Sequence, residues 1–106
     1  MRVTGGRARG IQLEVPKRSV RPALDRMREA VFSIIGSRVS GATFLDLFAG
    51  CGSYGLEALS RGADNGVFVE KNRICAKSVR RNLSKVRSEE HTSELQSLVN
   101  LVCRLL

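Results

Sequence analysis

Between Phe44 and Leu59 the chain reads FLDLFAGCGSYGLEAL: an apolar run carrying one acid, then glycines at 50, 52 and 55, then a helical pattern. No other stretch restricts the fold as much. Glycines spaced G-x-G-x-x-G let a strand turn sharply into a helix and leave backbone N–H groups bare, because no Cβ shields them. Thr43–Phe48 reads as a buried strand, and residues 55–60 as a helix ending at Gly62. GVFVE at 66–70 reads as a second buried strand, bounded by Asp64-Asn65-Gly66. Lys71–Val86 follows as a helix, with Ile74, Val79 and Leu83 inward and Lys77, Arg80, Arg81 and Lys85 outward. Strand, helix, strand, helix at this spacing implies parallel strands with right-handed crossovers, the first half of a Rossmann-like sheet. The fold class is α/β.

Upstream, Arg2–Thr4 and Ile11–Val15 are short extended runs separated by Gly5, Gly6 and Gly10. IQLEV alternates apolar and polar residues, so a small hairpin is expected. VPKRSVRP reads as a loop closed by Pro22. ALDRMREAVFSII then reads as a helix, with Leu24, Met27, Val31, Ile34 and Ile35 on one stripe and Gly36 as its stop.

At 106 residues the chain is one small domain or part of one. It has no apolar run near the ~18 residues of a membrane span. MRVTGGRARG has charge but no apolar segment after it, so a cytoplasmic location is expected. Three cysteines without CxxC spacing and a single histidine, His91, argue against a disulfide framework or a metal site, and buried thiols are expected. Net charge is +8. Residues 1–40 hold nine Lys/Arg against three acids, residues 41–86 seven against four, and the last twenty two against three. Basic charge concentrated at one end is an electrostatic footprint for a polyanion such as nucleic acid, or else a solvated face.

A lone glycine motif is weak evidence of a ligand, and its context strengthens it. Glu70 lies twenty residues after Gly50, at the end of the next strand, where a carboxylate accepts both hydroxyls of a ribose. NAD and S-adenosyl-L-methionine both fit that much. Asp46, before the turn, separates them: its charge repels a pyrophosphate and attracts an ammonium and a sulfonium. Alternatively, Asp46 only accepts hydrogen bonds from the loop's own N–H groups.

DLFAGCGSYGLEALSRGA followed by VFVEKN resembles the first cofactor motif and acidic second motif of class I methyltransferases. More narrowly, it is similar to the RsmD-type methylases of bacterial small-subunit ribosomal RNA, which modify the exocyclic N2 of a guanine. MRVTGGRARGIQLEVP resembles that family's N-terminal hairpin, and RPALDRMREAVFSIIG its Arg-Pro-x-x-Asp-Arg-x-Arg-Glu helix. The resemblance covers roughly residues 1–86. It implies S-adenosyl-L-methionine as cofactor, with Asp46, Gly50, Gly52 and Gly55 on its methionine side, Phe48 in the same set, and Glu70 on the ribose. Asp25 and Arg26 would lie across the cofactor mouth. Arg2, Arg7, Arg9, Lys17, Arg18 and Arg21 would meet RNA phosphates, the partner being small-subunit ribosomal RNA or an assembling small subunit. A monomeric parent without a metal is implied. The plain alternative for Asp25, Arg26, Arg28 and Glu29 is a solvated helix face with i,i+3 and i,i+4 pairs.

Amino-methyltransferases of this type hold the target amine with an Asn/Asp-Pro-Pro-aromatic motif after the fourth strand. The only prolines here are Pro16 and Pro22, so that motif is absent, no catalytic residue is assigned, and the chain alone is expected to be inactive. Arg87–Ser97, RSEEHTSELQS, resembles the word-for-word translation of a common sequencing adapter over eleven residues. The expected organisation is a basic hairpin arm (1–21), the N-terminal half of a methyltransferase domain (22–86) and a non-native tail (87–106). Two other classes stay open: an RNA-binding module without a cofactor, and a fragment of an NAD-binding oxidoreductase.

Overall fold

The two strands around the glycine turn pair in parallel in the computed structural model, which describes residues 1–15, 25–47 and 49–88. β1 (Thr43–Leu47) and β2 (Asn65–Val69) run in register from Thr43 opposite Asn65 to Leu47 opposite Val69. Hydrogen bonds carry the pairing past both ends, Asp64 N–H to Ala42 O at 2.9 Å and Ala49 N–H to Val69 O at 3.0 Å. The intervening α2 (Ser53–Ser60) packs on the sheet, and α3 (Arg73–Ser88) packs against α2. Before them come α1 (Asp25–Ile35) and a 3₁₀ turn, Gly36–Val39. The expected strand–helix–strand–helix order is present. Helix starts differ from the expected ones by about two residues, falling at Ser53 and Arg73.

The hairpin is minimal. Arg2 and Gln12 form one antiparallel bridge, flanked by Val3 N–H to Ile11 O at 3.0 Å and Leu13 N–H to Met1 O at 2.8 Å. Its tip docks on the end of α2: Ser60 O accepts Arg7 N–H, Ser60 Oγ accepts Ala8 N–H, and the same hydroxyl donates to Gly5 O at 2.6 Å. Gly6 is required there. Its φ is +81°, and a Cβ would lie 2.0 Å from Ser60 O. Val3, Ala8 and Leu13 thereby join Phe32, Leu56, Leu59, Phe68, Val79, Leu83 and Val86 in a single core.

Three burial expectations are corrected. On α1 the buried pair is Arg28 and Phe32, while Met27 and Ile34 are 57% and 84% exposed. The larger ring at Phe32 takes the core position, rotating the stripe by about 100° from the expected one. On α3 Ile74 is exposed, whereas Val79 and Leu83 face inward as expected and Lys77, Arg80, Arg81 and Lys85 face outward. Arg73 and Ile74 open the helix ahead of its packed turns. On β1 Leu45 and Leu47 are 63% and 57% exposed: among the described residues the sheet has two strands, and nothing covers that face. Leu24, Phe48, Lys17, Arg18, Arg21, His91 and Cys103 lie outside the described residues. No helix among those described is long and apolar enough to cross a membrane.

Candidate cofactor site

The turn from β1 into α2 is built of backbone. Gly50 and Gly52 sit at φ +59° and +87°, the left-handed region that glycine enters without a Cβ penalty. Gly52 is the residue before α2 and offers no side chain to cap its first N–H groups. Asp46 does this from the end of β1, its Oδ2 accepting Gly55 N–H at 3.1 Å. Gly55 has a separate reason to be glycine: a Cβ there would lie 2.2 Å from Phe68 Cε1 and 2.7 Å from Phe44 Cε1. The third glycine lets α2 lie directly on the two rings, which meet edge-on at 5.3 Å.

Glu70 closes the other side. Its Oε1 accepts Gly50 N–H at 2.7 Å and its Oε2 accepts Asn72 N–H at 2.8 Å, pinning the glycine turn to the start of α3. Asn72 Oδ1 then caps α3 by accepting from Ile74 and Cys75 N–H. Two carboxylates thus stand beside one glycine turn at the carboxyl ends of parallel strands. Burial raises the Asp46 pKa; the Gly55 hydrogen bond partly opposes this, and the nearby Glu70 charge adds to it. Neither carboxylate has a cationic side chain paired to it among the described residues. Such a pair of acceptors suits a ligand with positive charge and hydroxyl donors, because a cation relieves the mutual repulsion of the two carboxylates. Beside Asp46 and Gly55, between α1, β1 and α2, lies a cavity of about 230 Å³ lined largely by apolar side chains such as Phe32, Val39 and Tyr54.

Cys51 and Cys75 are buried, as expected. Burial pushes the Cys51 thiol above its ordinary range, and its carbonyl accepts from Asn82 Nδ2 at 3.0 Å, so the residue packs the turn as a neutral thiol. Asp25 accepts from Arg28 Nη2 at 3.0 Å and from Arg2 N–H at 3.4 Å, linking α1 to the hairpin. Arg26, Arg2, Arg7 and Arg9 have exposed side chains.

Glu57 escapes a reading of the sequence, and the plain alternative of a solvated face fails for Arg28, which is buried, although its i,i+3 pair with Asp25 is present. The Arg28 and Glu57 side chains are fully buried and bonded, Arg28 Nε to Glu57 Oε1 at 2.9 Å. Glu57 also accepts from Thr4 N–H, Thr4 Oγ1, Gly5 N–H and Arg61 Nε. Arg28 reaches further, donating to Arg2 O. One carboxylate therefore joins the hairpin, α1 and α2. The available signal was the company Glu57 keeps, between Leu56 and Ala58 on a helix that is buried nearly all round.

The strand, glycine turn, helix and strand have the fold of the first half of a class I methyltransferase domain. The Escherichia coli protein described as methyltransferase yhhF, of solved structure, superposes with a TM-score of 0.78 at 32% identity, over 96% of this chain and 50% of its own. The model of the family described as conserved hypothetical protein 95 matches residues 1–104, and the chain belongs to this family, that of the RsmD-type methyltransferases. YlbH of Bacillus subtilis (strain 168) is 39% identical over 92 residues, covering 86% of this chain and 50% of YlbH. Ribosomal RNA small subunit methyltransferase D of Escherichia coli (strain K12) is 38% identical over 89 residues, covering 83% of this chain and 45% of that protein. A hypothetical protein of Thermus thermophilus, of solved structure, superposes with a TM-score of 0.78 at 34% identity, over 98% of this chain and 55% of its own. The chain spans about half the length of the curated relatives it matches.

Proposed function

We propose that this chain is the cofactor-binding half of an S-adenosyl-L-methionine-dependent methyltransferase acting on the exocyclic N2 of a guanine in small-subunit ribosomal RNA. The observation that carries this reading is the pair of carboxylates, Asp46 and Glu70, on either side of the glycine turn. The name of the Escherichia coli relative supports the substrate class. When bound, the cofactor supplies an electrophilic methyl group on a sulfonium. The chain's own residues bind and orient it. Asp46 Oδ1 accepts no hydrogen bond among the described residues, which leaves it for the cationic methionine portion in this reading. A carboxylate offers about four lone-pair sites, so Glu70 keeps two for ribose hydroxyls after serving Gly50 and Asn72. Phe48, Gly50, Gly52 and Gly55 belong to the same site, Asp25 and Arg26 to its mouth, and the exposed Arg2, Arg7 and Arg9, with Lys17, Arg18 and Arg21, to the RNA arm. The Asn/Asp-Pro-Pro-aromatic acceptors for the amine are not in these residues, so binding is expected without turnover.

Calorimetric titration tests the reading. Adenosylmethionine is expected to bind and NAD to give no heat, and Asp46→Asn should weaken adenosylmethionine at least about tenfold, or about 1.4 kcal/mol. Binding of NAD in place of adenosylmethionine would overturn it. An RNA-binding module without a cofactor predicts no response to either ligand.

Acidity gives a second check. Because burial raises the Asp46 pKa above 3.8, the side chain loses its charge earlier on acidification than an ordinary aspartate. Adenosylmethionine affinity should therefore fall as pH drops, starting above that value, and Asp46→Asn should flatten the upper part of the curve. An identical pH profile in the variant would exclude Asp46 from the site.

A further inference from the structure

α3 carries Arg73, Lys77, Arg80, Arg81, Lys85 and Arg87 and no acid anywhere in its 16 residues. That pattern is costly in isolation. Arg73–Lys77, Lys77–Arg81 and Arg81–Lys85 are successive i,i+4 like-charge pairs, each destabilising a helix by roughly 0.2–0.5 kcal/mol. Arg73 also sits in the first turn, where the helix dipole opposes a cation. A helix face meant only for water mixes charge signs. Arg73, Lys77 and Arg80 are exposed and make no ion pair among the described residues, while Arg81 meets Glu14 at 3.2 Å.

The face has a direction. Its N-terminal end begins three residues after Glu70, at the rim of the candidate cofactor site. Its C-terminal half lies along the hairpin, through Arg81 to Glu14, Asn82 to the Glu14 backbone and Lys85 Nζ to Gln12 O at 3.4 Å. Gln12 pairs with Arg2, so the basic hairpin and the basic helix form adjoining surface.

We infer that the outer face of α3 is a second phosphate-binding surface, which guides an RNA strand between the hairpin arm and the cofactor rim. This deepens the proposed function and rests on it for the identity of the polyanion. A chain of phosphates matches the face because it offers repeated negative charge along a line, and each cation neutralised releases counterions.

The test uses the full 106-residue chain, a fluorescently labelled small-subunit ribosomal RNA transcript and filter binding between about 50 and about 200 mM salt. Lys77→Gln with Arg80→Gln keeps good helix formers at both positions. The double variant should show a log–log salt slope shallower by about 1.8 on duplex RNA, or about 1.4 on single strands. The affinity lost across that salt range should shrink by about tenfold. Lys77→Arg with Arg80→Lys should keep the wild-type slope. The adenosylmethionine titration should be unchanged in both variants, and the thermal midpoint should fall in neither, rising slightly in the glutamine variant as two like-charge pairs are lost. An unaltered slope and affinity in the glutamine variant overturns the inference. So does a wild-type chain that binds adenosylmethionine but no RNA, and so does a loss seen only on anionic phosphatidylserine vesicles. A chain that binds RNA with the expected slopes but ignores adenosylmethionine refutes the cofactor reading and leaves this surface standing.

Discussion

Replacing Glu57 with glutamine is expected to lower the stability of the chain by about 3–5 kcal/mol, the cost of breaking a buried ion pair from one side. Glutamine preserves the shape, which isolates the cause. All five contacts of Glu57 are donors: Thr4 N–H, Thr4 Oγ1, Gly5 N–H, Arg28 Nε and Arg61 Nε. An amide presents N–H groups to one set of those donors, and Arg28, fully buried, loses its buried counterion and keeps only the half-exposed Asp25 at 3.0 Å. Small domains have only about 5–15 kcal/mol in total, so much of the margin goes. Urea denaturation reads the effect as a drop in midpoint. A shift worth less than about 1 kcal/mol would show that water reaches the cluster and that Glu57 does not hold the hairpin.

The same residue sets an acid limit. Burial alone would raise the Glu57 pKa, but the Thr4 hydrogen bonds and the Arg61 and Arg28 guanidiniums outweigh it and hold it below 4.5. A carboxylate with a depressed folded pKa contributes stability that is full above its unfolded value and lost as pH falls through the folded one. Wild-type stability should therefore decline below about pH 4.5, and Glu57→Gln should remove that part of the slope.

Gly55→Ala is expected to cost about 3 kcal/mol, the upper end of ordinary core overpacking, and to lower the thermal midpoint by roughly 10–20 °C. The new methyl would start 2.2 Å from a ring carbon of Phe68, itself 1% exposed, with Phe44 closing the other side. Relief requires α2 to lift from the sheet, which also draws Gly55 N–H away from Asp46. Gly50→Ala provides the contrast. Nothing lies within 4 Å of its Cβ, so only the left-handed backbone is penalised, by about 1–2 kcal/mol. If circular dichroism melting ranks Gly50→Ala as the worse of the two, contact between α2 and the rings is not what the third glycine serves.

The glycine turn, its flanking strands and the placing of Asp46 near Glu70 were legible because each depends on neighbours in sequence. Spacing alone sets a G-x-G-x-x-G turn, and a strand of known length carries Glu70 to the same end of the sheet as Asp46. The second possibility for Asp46, bonding to its own loop, is present: Oδ2 caps Gly55, while Oδ1 accepts no hydrogen bond among the described residues. Arg28 and Glu57 were illegible for the opposite reason. Charged side chains default to solvent, and their burial becomes favourable only once the hairpin brings the Thr4 and Gly5 donors from more than fifty residues away. The α1 face misled because Met27 and Ile34 are apolar yet exposed, and apolar residues at a surface are common.

The distances between Thr4 and Glu57, Ala8 and Ser60, and Glu14 and Asn82 carry a consequence for synthesis. These three anchors of the arm are encoded 52 to 68 positions downstream of what they fasten. At elongation rates of about 5–20 residues per second, a cationic peptide is made seconds before those partners exist. During that interval these latches stay open, and the arm emerges beside the most abundant ribonucleic acid in the cell.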